Sequence, residues 1–241
     1  MVTLRDAAEY GANLVARRFG YEVRPWRRDP KSEGFIGYVA QARKVGLDVN
    51  DWQEQQLGWM PALPQLERVV FPHLQPDAVV VELGPGTGRF SRHIAARLPE
   101  GELRLVDHSS YIVGFLTRYF GRDPRVSVHL NDGASLPFPG DGWADLVFSA
   151  GTLIALGLGT IDLYVREFRR VLKPGGLAIF DYIDPATPEG WQHLISQSAY
   201  LRTIYSYHAA SAIDHVCKAA GFRVGARHQE GKSTYLCLEK T

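Results

Sequence analysis

Along residues 78–240, short apolar runs alternate with stretches whose apolar residues recur every three or four positions. The runs at 78–82, 103–107, 126–130, 144–149 and 177–182 have strand length and strand composition. Between them, Phe90, Ile94 and Leu98 share one helical face, and Ile161, Val165, Phe168 and Leu172 share another. Pro174-Gly175-Gly176 stops the second helix and turns it into the fifth strand. Beyond a loop with Pro185 and Pro188, the pattern predicts a helix near 191–205 and a last helix from about 211. Ser211 and Asp214 stand at capping-box spacing there. Runs near 222–229 and 233–239 flank Glu230-Gly231-Lys232 and predict a hairpin. Strand–helix alternation of this kind implies an α/β fold around a mostly parallel sheet.

Residues 1–72 read differently. They predict helices over about 4–19, 34–45, 51–57 and 63–71, broken by Gly and Pro. This segment is expected to form a helical N-terminal cap on a domain spanning 73–241. It carries Tyr10, Tyr21, Trp26, Phe35, Tyr38, Trp52 and Trp59, most of which are expected to pack against the core.

The glycine-rich turn is where chemistry first shows. Val79-Val80-Val81-Glu82 runs into Leu83-Gly84-Pro85-Gly86-Thr87-Gly88 and then into a helix. Glycines let backbone N–H groups approach a ligand, and a helix N-terminus adds partial positive charge. A dinucleotide turn wants a third glycine at the position held here by Arg89, so a pyrophosphate is disfavoured. The second strand ends at Asp107, where a carboxylate can accept from ribose hydroxyls. The third leads into Asn131-Asp132-Gly133, where a carboxylate can accept from an adenine amino group. One such acid is an ordinary helix cap; three at successive strand ends point to a nucleoside.

These residues, together with Leu136-Pro137-Phe138 and Arg169-Arg170-Val171-Leu172-Lys173-Pro174-Gly175-Gly176, resemble the successive motifs of class I S-adenosylmethionine-dependent methyltransferases over roughly residues 75–240. The resemblance implies a Rossmann-like, seven-stranded, mostly parallel sheet with a C-terminal antiparallel hairpin. It implies S-adenosyl-L-methionine as cofactor, leaving as S-adenosyl-L-homocysteine. Glu82, Gly84, Pro85, Gly86 and Gly88 would face its methionine half, Asp107 the ribose with His108 bordering the adenosine, and Asp132 with Gly133 the adenine. Ser149 and Ala150 would line the methionine side.

Composition narrows the partners. The 241 residues carry a formal net charge of +1, without the basic stripe that nucleic acid needs. Arg17, Arg18, Arg24, Arg27 and Arg28 cluster but are diluted by Glu22 and Asp29, as on a solvated face. Cys217 and Cys237 have neither metal-ligand nor disulfide spacing. With no signal-peptide pattern and no apolar run of membrane length, the expectation is a cytoplasmic monomer or homodimer bound neither to nucleic acid nor to a membrane.

Methyl transfer to oxygen requires a proton acceptor near the sulfonium. His208, in Tyr205-Ser206-Tyr207-His208, is the first candidate because imidazole titrates near neutrality; a surface loop histidine is the plainer reading. Asp181, Tyr182 and Asp184 end the fifth strand, with capping or substrate contact as their alternatives. No third ligand completes a metal site with the two acids, so no metal is expected. Trp59, Trp191, Tyr200, Tyr205 and Tyr207 suit a flat or glycosylated acceptor. The expected activity is O-methylation of a small molecule, with N- or C-methylation, or cofactor binding without transfer, as alternatives.

Overall fold

The computed structural model describes residues 34–56, 61–197 and 204–241, with side chains from residue 37 onward. The expected helix at 4–19, the arginine cluster, and Tyr10, Tyr21, Trp26, Trp59 and Tyr200 lie outside the described residues, as does the side chain of Phe35.

Among the described residues three helices come first: α1 (Gly34–Lys44), α2 (Val49–Gln56) and α3 (Ala62–Val69). Then follow β1 (Val79–Leu83), α4 (Ser91–Ala96), β2 (Glu102–Asp107), α5 (Ser110–Phe120), β3 (Val126–Leu130) and β4 (Ala144–Ser149). The chain continues through α6 (Leu158–Val171), β5 (Leu172–Tyr182), α7 (Pro188–Gln197), α8 (Ala210–Ala219), β6 (Phe222–Glu230) and β7 (Ser233–Lys240). The strands form one seven-stranded sheet in the order β3-β2-β1-β4-β5-β7-β6. β1 to β5 are parallel; β7 runs antiparallel to both β5 and β6.

Both sheet faces are covered, which is why the central strands are apolar without alternation. One face buries Val80, Leu103, Leu105, Leu146 and Phe148 against Leu66 of α3, Ile94 of α4 and Leu116 of α5. The other buries Val81, Val147, Ala178 and Phe180 against Ile161, Val165 and Phe168 of α6 and Ile213 and Cys217 of α8. Burial of each such side chain contributes about 1.5–3 kcal/mol. A third, small cluster joins α1 and α2 through Val39, Ala42 and Val49, with Phe115 of α5 packed against it.

Register brings the strand tips level. Leu83 lies beside Val106 and Asp107 beside Leu130. Gly84 N–H donates to the Val106 carbonyl at 2.8 Å, and Asn131 N–H to the Asp107 carbonyl at 3.0 Å. The acids of β1 and β2 are thus carried to one rim by backbone pairing alone.

Three expectations need correction. β5 begins at Leu172, paired with Ala144, and the Lys173–Gly176 stretch loops out before pairing resumes at Leu146–Leu177. The helix expected to reach 205 is described over Pro188–Gln197, and residues 204–209 are not helical. Ser211 is inside α8 rather than at its cap; Asp184 caps that helix instead, its Oδ2 accepting from Ala210 N–H at 3.2 Å.

Candidate active site

The glycine turn is built for close approach. Gly84, Gly86 and Gly88 have φ of 69°, 56° and 83°, the left-handed region that L side chains avoid. Their reasons differ. A Cβ on Gly84 would lie 1.9 Å from Thr152 Oγ1, and one on Gly88 would lie 2.9 Å from the Phe120 ring; one on Gly86 would meet nothing within 4 Å. Gly84 and Gly88 are therefore needed for packing, while Gly86 borders open space. Pro85 is buried between them.

Glu82 is 2 % exposed. Among the described residues its Oε2 has no hydrogen-bond partner, and burial, offset in part by Ser91, pushes its carboxyl up to about 7. A buried oxygen without a donor is expensive, so this atom is suited to a cationic or N–H-bearing ligand group. Asp107, 5 % exposed, accepts from Ser109 N–H at 2.8 Å; burial raises its pKa as well. His108, exposed beside it, brings Nδ1 to 3.6 Å of Asp107 Oδ1. Asp132 is exposed and closes its own turn, its Oδ1 accepting from Ala134 and Ser135 N–H at 2.9 and 2.7 Å. Those donors hold its carboxyl below the usual range. Gly133 follows at φ 86°, with open space at its Cβ position. Ser149 is fully buried and fastens β4 to β1, its Oγ donating to the Leu83 carbonyl at 2.9 Å. Ala150 next to it is partly exposed.

Of the β5 acids, Asp181 faces the rim and Asp184 caps α8. Asp181 accepts from Gly151 N–H and Ser233 Oγ, both at 2.8 Å, and burial raises its pKa. Tyr182 is displaced from the expected site. Neighbouring strand residues point to opposite faces, so it lies fully buried with the α6 and α8 cluster. There its hydroxyl accepts from Arg227 Nε at 3.1 Å. His208 is pinned: its backbone N–H donates to the Ile183 carbonyl, and its Nε2 to the Leu156 carbonyl, both at 2.9 Å. That bond leaves Nδ1 as the acceptor nitrogen. Trp191 is 54 % exposed on α7. Among the described residues, no group of three His, Cys, Asp or Glu side chains is placed to hold a metal ion. No described helix is long and apolar enough to cross a membrane.

Two contributions escaped the sequence. Helix α2 sits on the glycine turn: Asn50 Nδ2 donates to the Thr87 carbonyl at 3.1 Å, Thr87 Oγ1 donates to Gln53 Oε1, and Glu54 pairs with Arg89 at 3.2 Å. Asn50 is fully buried, and among the described residues its Oδ1 lacks a partner. Second, His193 of α7 meets Tyr207, its Nδ1 lying 3.0 Å from the phenol oxygen. Helical periodicity marks Asn50 and Gln53 as one face of α2, but nothing in sequence says that this face meets residue 87.

A family model described as a methyltransferase domain matches residues 80–176, the span that holds the glycine turn and the β2, β3 and β4 tips. That match spans about two fifths of the chain and identifies this stretch as a methyltransferase domain. A malonyl-[acyl-carrier protein] O-methyltransferase of Methylococcus capsulatus is 30% identical over 112 residues, covering 46% of this chain and 40% of that protein. A ubiquinone/menaquinone biosynthesis C-methyltransferase of Caulobacter sp. is 29% identical over 114 residues, 42% of each chain. The chain thus spans about two fifths of the curated relatives it matches. Among solved structures, a geranyl diphosphate C-methyltransferase from Streptomyces coelicolor superposes with TM-score 0.60 at 15% identity, covering 74% of this chain and 76% of that one. That likeness is one of fold, and it agrees with the seven-stranded sheet described above.

Proposed function

We propose that this chain is a methyltransferase that uses S-adenosylmethionine to O-methylate a small molecule. One observation carries the cofactor reading: Glu82 Oε2, buried without a partner, lies at the β1 tip beside a turn whose Gly86 borders open space. This pairing fits the ammonium and chain of a methionine moiety. Asp107 would hold the ribose, with His108 at its edge. Asp132 and Gly133 would serve the adenine. Ser149 acts by locking β4 to β1, which sets the rim on which Ala150 stands. When bound, the sulfonium supplies an activated methyl, transferred in line while sulfur leaves with the bonding electrons. The chain's own part is to orient two partners and take up a proton.

The small-molecule acceptor is supported by a net charge of +1 and by the half-buried aromatic residues Tyr205 and Tyr207 beside the rim. Transfer to carbon is the second reading, favoured by the name of the Caulobacter relative. Labelled cofactor incubated with pooled phenols, sugars and quinol precursors, followed by mass spectrometry of the product, tests both. Label on an ether oxygen supports the proposal, label on ring carbon supports the second reading, and failure of the protein to retain S-adenosylhomocysteine in calorimetry removes both.

A further inference from the structure

Four side chains from three separate elements meet above the tips of β4 and β5. His193 comes from α7, Tyr205 and Tyr207 from the segment entering α8, and Lys232 from the β6–β7 turn. Tyr207 OH and His193 Nδ1 are 3.0 Å apart. The Tyr205 ring stands edge-on to the imidazole with centroids 4.7 Å apart, and Lys232 Nζ lies over that ring at 5.4 Å. Backbone bonds anchor the group to the rim: Ser206 N–H donates to the Ile154 carbonyl at 2.7 Å, and His208 N–H to that of Ile183. Ser233, next to Lys232, bonds Asp181. All four side chains are only partly buried, and none belongs to the three apolar clusters of the core. Packing of the core therefore does not account for the assembly.

We propose that Tyr207 and His193 form a proton relay for a phenolic acceptor, whose ring Tyr205 stacks and whose developing negative charge Lys232 attracts. The inference rests on the methyl-transfer reading above and names the acceptor class for it. The acceptor O–H proton passes to the Tyr207 oxygen as the Tyr207 proton passes to His193 Nδ1. The phenol oxygen forms its new bond to the cofactor's methyl carbon, and sulfur keeps the electrons of the broken S–C bond. Tyr207 ends neutral, His193 ends as imidazolium, and the proton is later lost to water. A phenol matches the acidity of the tyrosine through which its proton travels, so the hand-over between the two oxygens is nearly balanced, and the uphill transfer to the imidazole is drawn forward by formation of the oxygen–methyl bond; an aliphatic alcohol lacks that match.

The surroundings suit the task. Burial, and then the charge of Lys232, lower the pKa of His193, which favours its neutral form. The groups facing the relay are Lys232 from the β6–β7 turn and Tyr205 from its own segment, with Tyr38 of α1 acting on Tyr205 and Asp181 of β5 on Lys232. His208 has a different part: its Nε2 and its backbone are spent holding this segment to the rim.

The test uses the whole chain loaded with S-adenosylhomocysteine and titrated with 4-nitrophenol, whose phenolate absorbs visibly. At about pH 6 the free phenol is mostly neutral, so any added phenolate is easily seen. The parent should bind the phenol saturably and show several-fold more phenolate absorption than the free phenol. His193→Gln, which can still accept from Tyr207 but cannot take a proton, should bind with similar affinity and lose the extra absorption. Tyr207→Phe should lose it too, while His215→Gln, a change on an exposed face of α8, should match the parent. No extra absorption in the loaded parent, or its persistence in His193→Gln, overturns the relay. Failure of the parent to take up S-adenosylhomocysteine would instead bring down the cofactor reading on which the relay rests.

Discussion

Replacing Glu82 with Gln should make the protein more stable at pH 8 than at pH 5, relative to the parent. The carboxyl is almost fully buried, and burial raises it from 4.5 to about 7. An acid whose folded pKa is raised holds its proton in the folded state when the unfolded chain has already lost it. Stability contributed by that proton is complete below 4.5 and is lost as pH rises to about 7. Each tenfold in proton affinity is worth about 1.4 kcal/mol, so ionised Glu82 costs the empty fold about 3 kcal/mol above that window. Gln keeps the shape and carries no charge. Urea denaturation of both proteins at the two pH values yields the difference of differences directly. A stability gap unchanged between pH 5 and pH 8 would refute the claim that Glu82 is an uncompensated buried carboxyl. The same reasoning predicts proton release on cofactor binding near neutrality, since a bound ammonium stabilises the carboxylate; calorimetry in buffers of different ionisation enthalpy would detect it.

Other outcomes follow from the site. Asp107→Ala should weaken S-adenosylhomocysteine binding by about 1–3 kcal/mol through lost charged hydrogen bonds, and unchanged affinity in calorimetry would remove Asp107 from the ribose site. Gly86→Ala should cost only about 1 kcal/mol of stability, from its positive φ, yet reduce cofactor binding more, whereas Gly84→Ala collides with Thr152 and should lower the melting temperature first; equal effects of the two on melting would contradict the open space beside Gly86. His208→Ala should lose about 1 kcal/mol of stability and reduce turnover while leaving the shape of the pH–rate profile unchanged. Loss of the profile's rising limb in that variant would return the role of base to His208.

Much of the scaffold was legible because its strands are short, apolar and separated by glycine turns. The expected bounds 126–130 and 144–149 agree with β3 and β4 to the residue. The errors have specific physical sources. Ser211 and Asp214 have the right spacing for a local cap, but α8 begins a residue earlier, where Asp184, folded back from beyond the end of β5, accepts from Ala210 N–H, while Asp214 pairs with Arg227 of β6. Tyr182 ends the fifth strand beside Asp181, and strand alternation sends it to the opposite face, away from the expected site. His193 carried no local signature, because its meaning comes from Tyr207, which the chain brings back fourteen positions later. The seat of α2 on the glycine turn was invisible for the same reason: Asn50 and Thr87 are 37 positions apart.

The position of β7 has a consequence for the order of assembly. It is made after β6 but lies between β5 and β6, so during synthesis the two flanking segments cannot pair through it until it emerges. Lys232 and Ser233 come into place at that same moment, next to Asp181. A ribosome-bound chain lacking this segment would therefore already carry the glycine turn after β1, while Asp181 would still await its bond from Ser233.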